Sequence, residues 1–284
     1  MIHKPLIRIV FIPLISYSAV CFGAWFFQES LIFHPSAKIS RTPAAQGIAF
    51  SDVWLKAPNN EQIHAWDIPA TDNSAPWVLF FHGNGGNLGH RLHTFAVLHE
   101  LGFSVLAIDY RGYGHSEGRA SVRNAKEDAQ AAWAYLTRTR RIAPGKIALY
   151  GRSLGGGVAA DLASRQPAAA LILESTFSSL SDIGEQRYPL LPVKLLLHED
   201  LDSAAALRRI HYPTLIAHSR NDRVVPYELG ERLHRALDHG GLWYELTGSH
   251  NKAFRKSGDQ YYQLLAQFIR AATMPAPAPH DRTH

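Results

Sequence analysis

A strand-like apolar run over 146–150 leads into Gly151-Arg152-Ser153-Leu154-Gly155, and the chain from Val158 to Ala163 has helical character. Strand, sharp turn and helix with a serine at the apex is the most constraining feature of this sequence. Such a turn holds Ser153 in a strained backbone conformation, with neighbouring chain close on both sides. Side chains would clash there, so glycine stands two residues before and two residues after the serine. This geometry lifts the Ser153 hydroxyl clear of the sheet and points the N-terminus of the next helix at it. The five-residue pattern alone is common. The flanking strand and alanine-rich helix turn it into a candidate nucleophile.

The rest of the chain fits the architecture this turn demands. The run 77–81 is fully apolar, as a buried central strand would be. It ends in His82-Gly83-Asn84-Gly85-Gly86-Asn87. Strand patterns recur at 51–56, 62–68, 103–108, 170–173, 213–218 and 242–247, with helical patterns at 90–101, 121–140, 226–238 and 259–272. Pro58-Asn59-Asn60 marks the first two strands as an antiparallel hairpin. The alternation predicts a mostly parallel sheet covered by helices on both faces. The irregular stretch 177–212, with its run of leucines from Leu190 to Leu197, reads as packing over the sheet edge, as a small cap lining an acyl-chain pocket, or as both.

A serine hydroxyl needs a base to take its proton, and the base needs an acid to orient it. Past the strand at 213–218, Asp222 lies on a loop before a proline-started helix. Past the last strand, Thr247-Gly248-Ser249-His250 supplies a histidine on a tight turn. Ser153, Asp222 and His250 thus follow the chain order serine, acid, histidine. All three fall at the C-terminal ends of strands, the edge where open parallel sheets hold their sites. Glu174 competes with Asp222 as the acid, or else braces a loop by hydrogen bonds. His82 reads as shaping the loop beside the nucleophile, and Asp109 as capping loop backbone. The backbone N–H of Leu154 and a donor at Asn84 are the expected oxyanion hole. His90, His93 and His99 lack the clustered carboxylates or cysteines of a metal site, and none is expected.

Before the sheet begins, Ile9 to Phe27 carries no charge and follows His3, Lys4 and Arg8. A span needs about 20 such residues, so this stretch predicts a transmembrane anchor, with a cleaved signal peptide as the alternative. The basic N-terminal flank favours a catalytic domain on the non-cytoplasmic side. The net charge of +5 is scattered, with only Arg138, Arg140 and Arg141 grouped, so no nucleic-acid partner is expected. Cys21 is the single cysteine, which rules out an internal disulfide.

Taken together, His82 to Asn87, Asp109-Tyr-Arg-Gly-Tyr-Gly114, Gly151 to Gly155, Ser219-Arg-Asn-Asp-Arg-Val-Val-Pro226 and Gly248-Ser-His250 resemble the α/β-hydrolase superfamily over about residues 50 to 272. They look like its small membrane-tethered serine hydrolases, and Gln28-Glu-Ser-Leu-Ile-Phe-His-Pro35 is similar to that subgroup too. The resemblance implies an α/β-hydrolase fold with a minimal cap, a Ser153–Asp222–His250 triad and no cofactor. Some relatives of this kind are implied to be acyl-protein thioesterases or lysophospholipid lipases. The expected organisation is an anchor over 1–33, a linker over 34–50, a hydrolase domain over 51–273 with its cap at 177–212, and a tail over 274–284. The expected substrate is a small or lipid-like acyl ester or thioester. The rivals are a peptidase of the same fold and a silent membrane scaffold.

Overall fold

The computed structural model describes residues 3–274, with side chains from Ile12 onward. The expected tail lies outside the described residues except for Met274. An eight-stranded sheet forms the centre. Its strands are β2 (Ser51–Lys56), β3 (Gln62–Ile68), β4 (Trp77–Phe81), β6 (Ser104–Ile108), β7 (Ile147–Arg152), β8 (Ala170–Glu174), β9 (Thr214–His218) and β10 (Leu242–Glu245). A two-stranded sheet of β1 (His34–Pro35) and β5 (Gly85–Gly86) stands beside it. The large sheet runs in the order β10-β9-β8-β7-β4-β6-β3-β2. From β10 to β6 every pairing is parallel; β3 alone is reversed, pairing antiparallel with β6 on one side and β2 on the other.

The central strands β4, β6 and β8 are buried at every position, so each face of the sheet needs a helical cover. On one face α3 (Val122–Ala134), α4 (Leu154–Ala163) and α8 (Tyr227–Arg235) pack small and branched side chains such as Ala129, Val158 and Leu229 against Leu79 and Leu149. On the other, α2 (Leu92–Glu100) and α9 (Ala253–Thr273) set Phe95, Leu98, Tyr261 and Leu265 against Phe80 and Tyr150. This is the mostly parallel, doubly wound α/β architecture expected from the alternating pattern.

Several boundaries differ from expectation for local reasons. The long helix anticipated over 121–140 stops being α-helical at Ala134 and continues as one π turn, Tyr135–Thr139. There the Thr137 hydroxyl bonds back to the Trp133 carbonyl at 2.9 Å and competes with the helical ladder. The last helix begins at Ala253, and Gly258 at φ 56° kinks it just before the expected start. Between β8 and β9 the irregular stretch forms three short helices, α5 (Leu180–Arg187), α6 (Val193–Leu196) and α7 (Ser203–Leu207).

Ahead of the sheet, α1 runs from His3 to Ile32. Among the described residues no helix is long and apolar enough to cross a membrane, so the expected transmembrane helix is not supported. The start of the expected linker packs against the loop that follows β4. The His34 N–H donates to the Asn84 carbonyl at 2.9 Å, β1 pairs with β5, and Asn87 Nδ2 donates to the carbonyls of Ser36 and Lys38, each at 2.9 Å. Residues 34–38 are thereby pinned against the loop that follows β4.

Candidate active site

β7 delivers Ser153 into a backbone conformation at φ 54°, ψ −122°, in the left-handed half of the map that non-glycine residues seldom visit. The neighbourhood over-determines it. The Ser153 N–H donates to the Glu174 carbonyl at 2.9 Å, and Thr176 Oγ1 donates to the Ser153 carbonyl at 2.7 Å. The two motif glycines are there for space. A Cβ on Gly151 would collide with the Gly155 carbonyl oxygen, and a Cβ on Gly155 with that of Phe81.

The structure brings the three expected side chains together. His250 Nε2 lies 3.0 Å from Ser153 Oγ, and His250 Nδ1 lies 2.6 Å from Asp222 Oδ2. The other Asp222 oxygen, Oδ1, accepts the N–H groups of Val224 at 2.8 Å and Val225 at 2.9 Å. Burial alone would push the Asp222 carboxyl upward. The His250 hydrogen bond and these two amides outweigh it and hold the group below the ordinary carboxylate range. His218 Nε2 stands 3.6 Å from the same carboxylate and donates to the Val225 carbonyl at 3.0 Å. Burial pushes the His218 imidazole below its ordinary value, which favours its neutral form and leaves the Asp222 charge to His250.

Glu174, the rival acid, does not touch the His250 imidazole. It is fully buried and accepts from the hydroxyls of Tyr150 and Tyr261, and its Oε1 lies 3.1 Å from Arg152 Nε. Arg152 Nη2 in turn donates to the His250 carbonyl at 2.8 Å. A buried carboxylate thus holds an arginine that holds the histidine's backbone. The sequence reading left Arg152 without a role. The signal for it was a basic residue beside the serine together with an acid at the end of the adjacent strand.

Asn84 and Leu154 both line a cavity of about 520 Å³ that reaches Ser153. The Asn84 side chain is occupied, since its Nδ2 donates to the Ile32 carbonyl at 3.1 Å. Its carbonyl accepts from His34 N–H and the Tyr113 hydroxyl. His82 is buried, with Nδ1 donating to the Gly83 carbonyl at 2.7 Å, and Asp109 Oδ1 accepts the Leu88 N–H at 3.0 Å. Both residues shape the loop from outside the cavity. Among the described residues no group of three His, Cys, Asp or Glu side chains is arranged to hold a metal ion.

Elsewhere the cavity wall is mostly apolar, with Phe177, Leu180, Ile183 and Leu196 among its side chains. Among the described residues no aspartate or glutamate lines it; Arg187 is the one charged residue and His34 the one histidine.

Residues 72–198 match a family described as serine aminopeptidase, S33. The chain is 32% identical to the alpha/beta hydrolase domain-containing protein WAV2 of Arabidopsis thaliana, over 86% of this chain and 87% of that protein. It is 35% identical to the lysophosphatidylserine lipase ABHD12 of Danio rerio, over 76% of this chain and 62% of the lipase. In structure it resembles the esterase Pf2001 of Pyrococcus furiosus, with a TM-score of 0.71 at 19% identity, covering 85% of this chain and all of that one. The chain belongs to the α/β-hydrolase superfamily.

Proposed function

We propose that this protein is a serine hydrolase that cleaves carboxylic ester or thioester bonds of acyl, lipid-like substrates and uses no cofactor. The observation that carries the reading is the continuous contact from Asp222 through His250 to Ser153, opening into an apolar cavity. His250 Nε2 takes the Ser153 proton as Oγ bonds to the carbonyl carbon. Asp222 fixes the imidazole so that Nε2 faces the serine, and balances the imidazolium that forms. The N–H groups of Leu154 and Asn84 hold the oxyanion, each contributing about 3 kcal/mol to transition-state stabilisation. As the tetrahedral species collapses, the carbon–oxygen or carbon–sulfur bond breaks and His250 returns the proton to the departing alcohol or thiol. A water, deprotonated by the same imidazole, then attacks the acyl-enzyme; the acyl carbon–Oγ bond breaks, His250 returns the proton to Ser153 Oγ, and the carboxylic acid leaves.

The cavity lining favours this reading over aminopeptidase action, although the matching family is described by that activity. A peptide's ammonium needs an acid partner where it is desolvated, and the lining offers an arginine instead. A lysophosphatidylserine lipase among the relatives supports an acyl-lipid substrate. Association with a membrane through α1 belongs to the same proposal, since Ile12, Ile15, Phe22, Phe26 and Phe27 all expose apolar side chains. Full-length protein is expected in the membrane fraction. Recovery in the soluble fraction would remove that part.

The activity is tested by Ser153→Ala assayed on p-nitrophenyl esters and with a fluorophosphonate probe. Loss of kcat on the order of a millionfold and loss of labelling are expected. A Ser153→Ala protein within tenfold of wild type would end the proposal.

A further inference from the structure

The N-terminal helix is built into the cavity. Ala24, Gln28, Leu31 and Ile32, spaced i, i+4, i+7 and i+8, form one face of α1 and line the same space as Ser153. One side chain ties that face to the cap. Gln28 is 6% exposed; its Nε2 donates to the Leu196 carbonyl at 3.0 Å and its Oε1 accepts the His198 N–H at 2.8 Å. Trp25 stands edge-on to His198 with ring centres 5.0 Å apart, and the Tyr17 hydroxyl donates to the Leu190 carbonyl at 2.8 Å. A tether that only held the enzyme near a surface would require none of these contacts.

We infer that α1 is a working wall of the acyl cavity and that the small side chain of Ala24 on this wall is what admits long acyl chains. The inference rests on the proposed esterase activity and adds a specificity element to it. Orientation makes the wall a ruler. Ile32 lies at the reacting end, because its carbonyl accepts from Asn84 Nδ2 at 3.1 Å. Ala24 is eight residues back along the helix, about 12 Å away at about 1.5 Å per residue. An extended chain advances about 1.2 Å per bond, so about ten bonds separate the scissile carbonyl from Ala24. Alanine there leaves the cavity open at its far end, and a larger residue would close it. Short acyl groups never reach that position.

The test uses full-length Ala24→Phe, with the smaller Ala24→Leu alongside, assayed on p-nitrophenyl acetate, butyrate, octanoate and dodecanoate. Melting temperatures are recorded for both, so that a folding defect is seen as such and the milder variant still reports. Acetate and butyrate kcat/KM should stay within twofold of wild type. Dodecanoate should fall at least tenfold in Ala24→Phe and less in Ala24→Leu. A length profile that either folded variant leaves unchanged, or a loss shared equally by acetate, overturns the inference while the esterase reading stands. Wild-type protein that hydrolyses none of the four esters and takes no fluorophosphonate overturns both.

Discussion

Around Ser153 each neighbour is fixed by a partner further out, and that arrangement sets what single changes should do. Arg152 carries its charge inside the protein, balanced by Glu174, and gives one N–H to the His250 carbonyl. In Glu174→Gln the guanidinium loses its counter-charge and the His250 loop its brace. Misplacing a catalytic group by about 1 Å costs about a hundredfold. The kcat of Glu174→Gln should therefore fall ten- to a hundredfold, with KM little changed because Glu174 does not line the cavity. Steady-state kinetics on the acetate ester check this split, and a raised KM at unchanged kcat would contradict it. Asp222 makes a prediction about stability. Its carboxyl is held below the ordinary value of 3.8 in the folded protein, so on acidification the unfolded chain takes up this proton first. Its stabilisation is present above that value and is lost as the pH falls through the folded pKa. Urea unfolding between pH 5 and pH 3 should thus show a shallower loss of stability in Asp222→Asn than in wild type. An identical slope would mean that the carboxylate is not held as described.

At the scale of elements, the turn between β7 and α4 is an interlock between two crossing backbones. A methyl group on Gly155, in the first turn of α4, would occupy the space of the Phe81 carbonyl at the end of β4, and β4 cannot retreat from the centre of the sheet. Gly155→Ala should cost more than about 4 kcal/mol, a melting drop on the order of 10 °C, because overlap with fixed backbone has no rotamer that relieves it. Thermal unfolding of the purified variant measures this, and a drop of under 2 °C would show the turn to be looser than it is drawn. The same interlock explains why so much here was legible from residues alone. The pattern at 147–155, the apolar run at 77–81 and the polar turns after 218 and 247 are local, and each leads to one sheet edge. Features set by partners far along the chain were not legible. The β1–β5 pairing joins His34 to Gly85, and the brace on His250 needs Arg152, Glu174 and His250 at once. The kink at Gly258 leaves no mark in the apolar periodicity, which places the start of the last helix after it.

For the whole molecule, the chain ahead of the sheet and the sheet itself are joined by specific contacts. The chain before β2 touches the working parts of the site at several points. Ile32 accepts from the Asn84 side chain, His34 donates to the Asn84 carbonyl, and Gln28 holds the cap. None of these contacts belongs to the central sheet, nor does any of them pass through Ser153, Asp222 or His250. Removing residues 1–35 should therefore leave a body that still melts cooperatively, since both hydrophobic cores of the sheet draw almost entirely on later residues. Catalysis should suffer more than folding. Asn84 would lose two of the contacts that hold its loop, and the cavity would lose a wall. The truncated protein is expected to hydrolyse the acetate ester at least tenfold more slowly through kcat, because Asn84, the proposed oxyanion donor, is no longer held in a fixed position. Its loss on dodecanoate should be larger still. A truncated protein that melts as wild type does and keeps full activity on both esters would show that the first helix is only a tether, and would detach the oxyanion loop from the N-terminal chain that this structure packs against it.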